Sequence, residues 1–501
     1  MRRRLLGTTT MAALLLAGCN PVGPDFTRPD APSALSWLTG KPRPAAPPKS
    51  VPVEQPVDPN WWTLFNDPLL TSLEQRVAAG NLDLKASEFR LSESRAQLAV
   101  AEALQFPLSH ASSSYTRTKA SNNGQFAAAP NALGASGSSG NTAGGLSGSH
   151  RLNPFDVFQV GFDASWELDL WGGVRRSVES ASALVEASAE ARRTILLSTM
   201  AEVARDYIAL RGVQTQLRIA RDSVKTARQS LNLTQQRAAG GVTTDLDVAN
   251  ASAQLRNTAA QIPRLEQQEA AGINALSLLL GQPPNALRDE LAAAKPVPPV
   301  PPKVPVGIPS ELARRRPDIR EAEARLHAAT ADIGVAIADF YPSVKISGSI
   351  GLQSIQFTRL FDLNSHMYAG GPGISIPLFE GGKLKATLRF REAAQQEAAI
   401  NYQKTVLNAW HEVDNALTAY ATEQARREQL RLAEADNRRA VGFAQSRYQQ
   451  GVADFLAVLD AERNLLTTQL QLADSTTAIS SNLVALYKAL GGGWETNLPE
   501  Q

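Results

Sequence analysis

The sequence predicts a mainly α-helical fold that carries a minority of membrane-type β-strands and is built from two internal repeats. Three observations predict it. Long stretches hold apolar residues at heptad spacing, four short stretches alternate apolar and polar residues, and landmarks of the first half recur in the second at fixed offsets. The composition agrees: Ala, Leu, Gln, Arg and Glu are abundant and aromatics make up 6%, which favours long helices. The 501 residues are ample for two or more ordinary domains. A formal net charge of +2 gives no general affinity for nucleic acid.

The N-terminus "MRRRLLGTTTMAALLLAGCN" has a basic start, a short apolar core and small residues, the plan of a secretory signal peptide over residues 1–18. Its apolar run is too short to span a membrane, and no later segment offers the roughly 18 apolar residues a membrane helix needs. "LAGC" resembles a bacterial lipobox, which implies cleavage before Cys19 and acylation of that residue. Cys19 is the only cysteine, so intramolecular disulfides are excluded. Asn20 follows it; by analogy with lipoproteins, a residue other than Asp there permits sorting to the outer membrane. Several acyl chains hold firmly to a bilayer. Residues 19–60 then form a lipidated, proline-rich lead, in which 41–59 cannot be regular helix.

Two repeats follow, at 61–294 and 311–490, separated by the proline-rich linker 295–310 and followed by a tail at 491–501. "FPLS" at Phe106 recurs as "YPSV" at Tyr341, 235 residues on, and Asp83, Glu88, Arg90 and Leu91 recur at the same offset as Asp318, Glu323, Arg325 and Leu326. Further along the offset is about 210: "QQRAAGGVTTDLDVANA" at Gln235 recurs as "QSRYQQGVADFLAVLDA" at Gln445. The lost residues fall at the Gly/Ser/Asn-rich stretch near 120–150 of the first half, which reads as a surface loop.

Each repeat contains two strands, near 109–119 and 158–170 in the first and near 344–352 and 368–378 in the second, forming β-hairpins over about 108–170 and 343–378. In "FQVGFDASWELDLWGG", Phe158, Val160, Phe162, Ala164, Trp166, Leu168 and Leu170 alternate with Gln159, Gly161, Asp163, Ser165, Glu167 and Asp169. Strands of about ten residues match a bilayer crossing in a tilted barrel, where apolar residues face lipid and polar ones a wet lumen. That expectation turns Asp163, Glu167 and Asp169 inward. Four strands cannot close a barrel, and lipid does not tolerate open edges. Several copies must therefore share one barrel, and three copies would give twelve strands. After the strands, "LWGGVRR" and "LFEGGKLK" mark the change to helix. Leu196, Met200, Val203, Tyr207, Leu210 and Leu217 keep heptad spacing, as do Val406, Trp410, Val413, Leu417 and Tyr420. Gln214 and Gln424 take the next seam position. Each helical stretch runs for about 65 residues, on the order of 100 Å.

"VGPDFTRP", "WWTLFNDPLLTSL", "LARRRPDIREAEARL" and "DFYPSVKISGSIGL" together resemble the signatures of TolC-like outer-membrane efflux lipoproteins of the OprM/NodT group. The resemblance runs from the lipobox to about residue 490. It implies a homotrimer in the bacterial outer membrane, with one twelve-stranded β-barrel, four strands per chain, continuous with a long periplasmic α-helical barrel. It implies a passive exit duct for drugs or other small molecules, joined through a periplasmic membrane-fusion adaptor to an inner-membrane pump of the resistance-nodulation-division type. It places a periplasmic gate at Tyr448, Leu456, Asp460, Arg463 and Asp247, and adaptor contacts at the helix tips through Arg237, Gly241, Val242, Arg447, Gly451 and Val452. Two other readings stay open at this level: the duct of a type I protein secretion system, and a periplasmic coiled-coil scaffold lipoprotein without a pore. The chain has no P-loop, HExxH motif or paired-cysteine metal site. "HEVDN" at His411 lacks a second histidine. Neither an enzyme activity nor a cofactor nor a metal site is expected.

Overall fold

The computed structural model describes residues 21–29, 50–119 and 154–495. The expected signal peptide, Cys19 and the Gly/Ser/Asn-rich stretch read as a surface loop lie outside the described residues. In chain order the main elements are β1 (Val51–Val53), α1 (Pro68–Gly80), α2 (Leu82–Ala103), β2 (Leu108–Thr118), β3 (Phe155–Leu168), α3 (Gly173–Ala239), α4 (Asp245–Ala259), α5 (Gln261–Leu279), β4 (Lys303–Pro305), α6 (Pro317–Ala338), β5 (Ser343–Ser354), β6 (His366–Ser375), α7 (Lys383–Gln449) and α8 (Phe455–Ala489). No described helix is long and apolar enough to cross a membrane.

The repeat is visible in the element bounds. α2 and α6 both have 22 residues, and each bound of α6 lies 235 positions after that of α2. α3 and α7 both have 67 residues, with each bound displaced by 210. α8 is continuous, whereas its counterpart is split into α4 and α5 at Ala260. Pro263 explains the break. It has no N–H to give the carbonyl of Ala259, and its ring collides with that carbonyl in a straight helix. Ala473 stands at the matching position of α8 and carries no such restriction.

The chain divides into two compact units, and these do not follow the repeats. One comprises Met1–Phe26, Ala96–Ala181 and Ala329–Ala394; the other comprises Thr27–Arg95, Ser182–Ala328 and Gln395–Gln501. Each draws on both halves of the sequence.

The first unit contains an antiparallel sheet of order β2-β3-β5-β6. Register puts side chains of one parity on one face. Phe158 stands opposite Tyr115, Phe162 opposite Ala111 and Ile350, and Ile350 opposite Tyr368. Tyr115 and Phe158 rings lie 4.9 Å apart on this face. It stays uncovered within one chain: Phe162 is 66% exposed and Tyr368 80%. The apolar band stops where Arg117 pairs with Asp156 at 3.6 Å. The opposite face carries Ser, Gly and charged residues. Its acids are matched by bases on neighbouring strands: Lys345 sits 3.2 Å from Glu167, and His110 lies 3.7 Å from Asp163.

Several expectations for the strands change. β3 begins at Phe155, because Thr118 and Arg117 extend the hairpin ladder beyond Phe158, and it ends at Leu168. Asp169 therefore lies past the strand and does not join the polar face. Its carboxylate accepts the backbone N–H groups of Val174 (3.1 Å) and Arg175 (3.0 Å). These are orphan donors of the first turn of α3, so Asp169 caps that helix. β6 stops at Ser375 rather than Leu378, since Pro377 has no N–H for a ladder. The helix start is fixed by Arg176, which is 3% exposed. It binds the Val22 carbonyl (3.1 Å), Asp25 (2.6 Å) and Glu179 (2.7 Å). "VGPDF" is thus clamped onto α3.

In the second unit the heptad seam is the core. Leu196, Met200, Val203, Tyr207, Leu210 and Leu217 are all buried, as are Val406, Val413, Leu417 and Tyr420; Trp410 is half-buried. Both seam glutamines bind backbone of a neighbouring segment. Gln214 donates to the Leu291 carbonyl at 2.9 Å. Gln424 accepts from the Ser50 N–H and donates to its carbonyl, both at 3.1 Å. Beside Ser50, the proline-rich lead forms β1 and pairs in parallel with β4, which lies within the proline-rich linker, a pairing not expected from the sequence. The "RRRPDIR" signature is a structural node. Arg316 binds Glu412 (2.6 Å), the Ala489 carbonyl (2.9 Å) and Asp318 (2.7 Å). Arg320 reaches the buried Glu190 at 2.6 Å. Burial pushes the Glu190 carboxyl up, while Arg320 and Arg193 pull it back.

With the apolar sheet face in lipid, Phe162→Lys is expected to cost about 2–4 kcal/mol, whereas Ser165→Lys on the other face is tolerated. Heat-modifiable gel migration of membrane extracts checks this. Equal loss of the folded band in both variants would contradict the facing.

Candidate helix-tip site

Two helix ends turn back in the same way. Two residues past the last residue of each helix, Gly241 follows α3 and Gly451 follows α7, with φ of +74° and +76°, a left-handed conformation that glycine adopts without strain. The Val242 N–H bonds to the Arg237 carbonyl and the Val452 N–H to the Arg447 carbonyl, each at 2.9 Å. This is a six-to-one closure of the last turn in both repeats. It leaves Val242 and Val452 projecting as exposed apolar residues at the two turns.

Beyond the first turn, Thr244 precedes α4, and Asp247 reaches back to its N–H at 3.5 Å and to its hydroxyl at 3.3 Å; the Thr243 hydroxyl also donates to Asp247. Asp247 therefore serves as the third-position acid of a capping box. Its counterpart on α8 is Ala457, and Asp454 occupies the cap there.

The expected gate residues take two different environments. Tyr448 is 4% exposed and sits in a cluster with Ala251, Phe455, Val458 and Leu459. Its ring lies 5.6 Å from that of Phe455, and the Arg237 guanidinium stacks over it at 4.6 Å. Its hydroxyl is buried with no hydrogen-bond partner. Leu456, Asp460 and Arg463 lie on the opposite, exposed side of α8, spaced four and three residues apart and so on one helical face. Asp460 has no ion pair among the described residues. Arg463 donates Nε to Gln254 Oε1 of α4 at 2.9 Å. Behind this face, Glu462 accepts from Ser230 of α3 (2.7 Å) and Gln445 of α7 (3.1 Å), tying three helices together.

The arrangement thus presents an apolar side chain, an unpaired carboxylate and a tethered guanidinium in sequence along one exposed stripe. Gln254 and Glu462 were not singled out by sequence. Gln254 lies 209 residues from its partner Arg463, and no local pattern links the two. Of the expected tip contacts, Arg237 is engaged: it donates Nη1 to the Gln449 carbonyl at 3.1 Å as well as stacking on Tyr448. Arg447, at the same place in the second repeat, is exposed and has no hydrogen bond or ion pair among the described residues.

An unpartnered buried hydroxyl adds nothing to stability and carries a desolvation cost. Tyr448→Phe is accordingly expected to leave the thermal midpoint unchanged or raise it, whereas Tyr448→Ala removes the tip core and costs about 3–5 kcal/mol. Thermal melts followed by circular dichroism check both. A large loss in Tyr448→Phe would show that the hydroxyl holds a bond.

Comparison with known proteins joins these observations. The family model described as outer membrane efflux protein matches residues 73–282 and 308–492, skipping most of the proline-rich segment between the repeats. The chain is 32% identical over 503 residues to the probable efflux pump outer membrane protein TtgC of Pseudomonas putida, covering 99% of this chain and 96% of that one. It is 31% identical over 495 residues to the probable outer membrane lipoprotein SilC of Salmonella typhimurium, covering 98% and 99%. The structure of the outer-membrane channel OprN superposes with a TM-score of 0.83 at 33% identity, covering 94% of this chain and 99% of that one. A match over both repeats makes this chain a member of the outer membrane efflux protein family.

Proposed function

We propose that the protein is the outer-membrane exit duct of a tripartite efflux pump, passively conducting small molecules delivered by an inner-membrane pump of the resistance-nodulation-division type through a periplasmic membrane-fusion adaptor. The observation that carries this reading is the sheet. It has one uncovered apolar face, one polar face on which Lys345 stands beside Glu167, and two edges, at β2 and β6, unpaired among the described residues. Three copies joined edge to edge make a closed twelve-stranded barrel, wide enough for a wet lumen. The lipid contact of that barrel and the acylated Cys19 both anchor the assembly. The function needs no enzyme activity, since the energy is spent at the inner membrane.

The exposed stripe on α8 supplies the gate. Threefold symmetry converts Asp460 into a ring of three carboxylates, which concentrates negative potential in a narrow opening. Leu456, one turn away, forms an apolar ring beside it. Arg463 holds α8 against α4 through Gln254 and sets the position of both. Asp247 supports the gate as a cap on the neighbouring helix. The exposed Val242 and Val452, held out by the glycine turns, offer the adaptor small apolar knobs on a polar surface.

Chemical cross-linking in cells followed by purification of the tagged chain tests the assembly. A periplasmic adaptor and an inner-membrane pump subunit are expected with the wild-type chain, and the adaptor is lost in the Val242→Asp/Val452→Asp variant. Recovery of the channel alone, or unchanged recovery of the adaptor with the variant, would sink this reading of the tips.

A further inference from the structure

We propose that Arg447 latches neighbouring copies together at the tips, donating to the Ala239 carbonyl of the next copy as Arg237 donates to Gln449 within the chain. This rests on the homotrimer reading above. The argument is one of matched, unfilled valences. Arg237 and Arg447 stand at the same position of helices whose bounds differ by 210 at both ends, and the turns that follow have the same φ and the same closing bond. Arg237 is engaged within the chain: its Nη1 meets the Gln449 carbonyl at 3.1 Å and its plane covers Tyr448. Arg447 has no partner among the described residues. The position equivalent to Gln449 is Ala239, the last residue of α3, and no donor among the described residues reaches its carbonyl. One chain therefore leaves one free guanidinium on its second repeat and one free helix-end carbonyl on its first.

A threefold ring of two-repeat chains has six tips in alternation. The step from the first repeat to the second lies within a chain; the step from the second repeat to the first lies between copies. When the six tips are evenly spaced these steps are alike. The reach that brings Arg237 to Gln449 then brings Arg447 to Ala239 of the next copy. The cation also meets the negative end of α3 there.

The two latches differ in strength. Tyr448 gives Arg237 an aromatic face, but the equivalent residue in the first repeat is Ala238, so Arg447 has only the carbonyl and the helix end. The seam between copies is the weaker one. Dilation of the tips parts the ring between subunits before it separates the two repeats of a chain.

Site-directed cross-linking tests this in the full-length protein, in membranes. The only native cysteine is Cys19, and the single variants Ala239→Cys and Arg447→Cys control for it. With a short bis-maleimide, Ala239→Cys/Arg447→Cys is expected to give a covalent trimer that neither single variant gives, whereas Arg237→Cys/Gln449→Cys links within a chain and stays at monomer mass. A protein that is trimeric by native mass but yields no covalent trimer from the first pair overturns the latch. A monomeric protein overturns the trimer reading as well. Arg447→Glu should also lower the temperature at which the trimer dissociates, with Arg447→Lys restoring most of it; no shift in the Glu variant counts against the latch.

Discussion

The unpaired edges of β2 and β6 are the constraint on which the rest depends. Each edge presents a row of backbone N–H and C=O groups, and hydrocarbon offers none of them a partner. A four-stranded sheet with one apolar face can enter a bilayer only if those edges are paired by other copies. Assembly is thus imposed by hydrogen-bond accounting. Symmetric assembly in turn multiplies every tip feature by the number of copies; in the proposed duct a single exposed Asp460 becomes a ring and a single Arg447 a seam. On the polar face the same economy holds. Glu167 and Asp163 do not line the sheet as bare acids, since Lys345 and His110 stand beside them.

The motifs that identify the family serve mostly to hold the molecule together. Arg316 and Arg320 of "RRRPDIR" bind three helices and a helix end, and "VGPDF" is pinned by Arg176. The residues proposed for the gate, Leu456 and Asp460, are exposed and would pass for an ordinary solvated helix face. Only the stripe formed with Arg463 and the neighbouring turn separates them from one.

The periodic parts of the fold were legible in the sequence. The offsets of 235 and 210 reappear as helix bounds, and the heptad seam is the observed core, because burial selects apolar residues at a period that a sequence displays directly. Positions decided by one residue of register were not legible. Asp169 continues the alternation of β3 in the sequence, yet the ladder ends at Leu168 and the next acid becomes a helix cap. Asp247 caps α4 beside Thr244, and Tyr448 packs against Phe455 and Arg237; the sequence marks both positions without showing these partners. The pairing of β1 with β4 links segments some 250 residues apart by backbone bonds, which leave little trace in side-chain pattern. The split at Ala260 did have a signal in the sequence, Pro263.

The central claim is that this chain forms a conducting duct with a carboxylate-lined gate. Single-channel recording of the purified protein in planar bilayers tests it most directly. The account predicts small or intermittent conductance for the wild type and a larger, steadier conductance for Asp460→Ala, in which the ring is discharged. Absence of channel activity in both proteins, with the trimer intact in the bilayer, would contradict it.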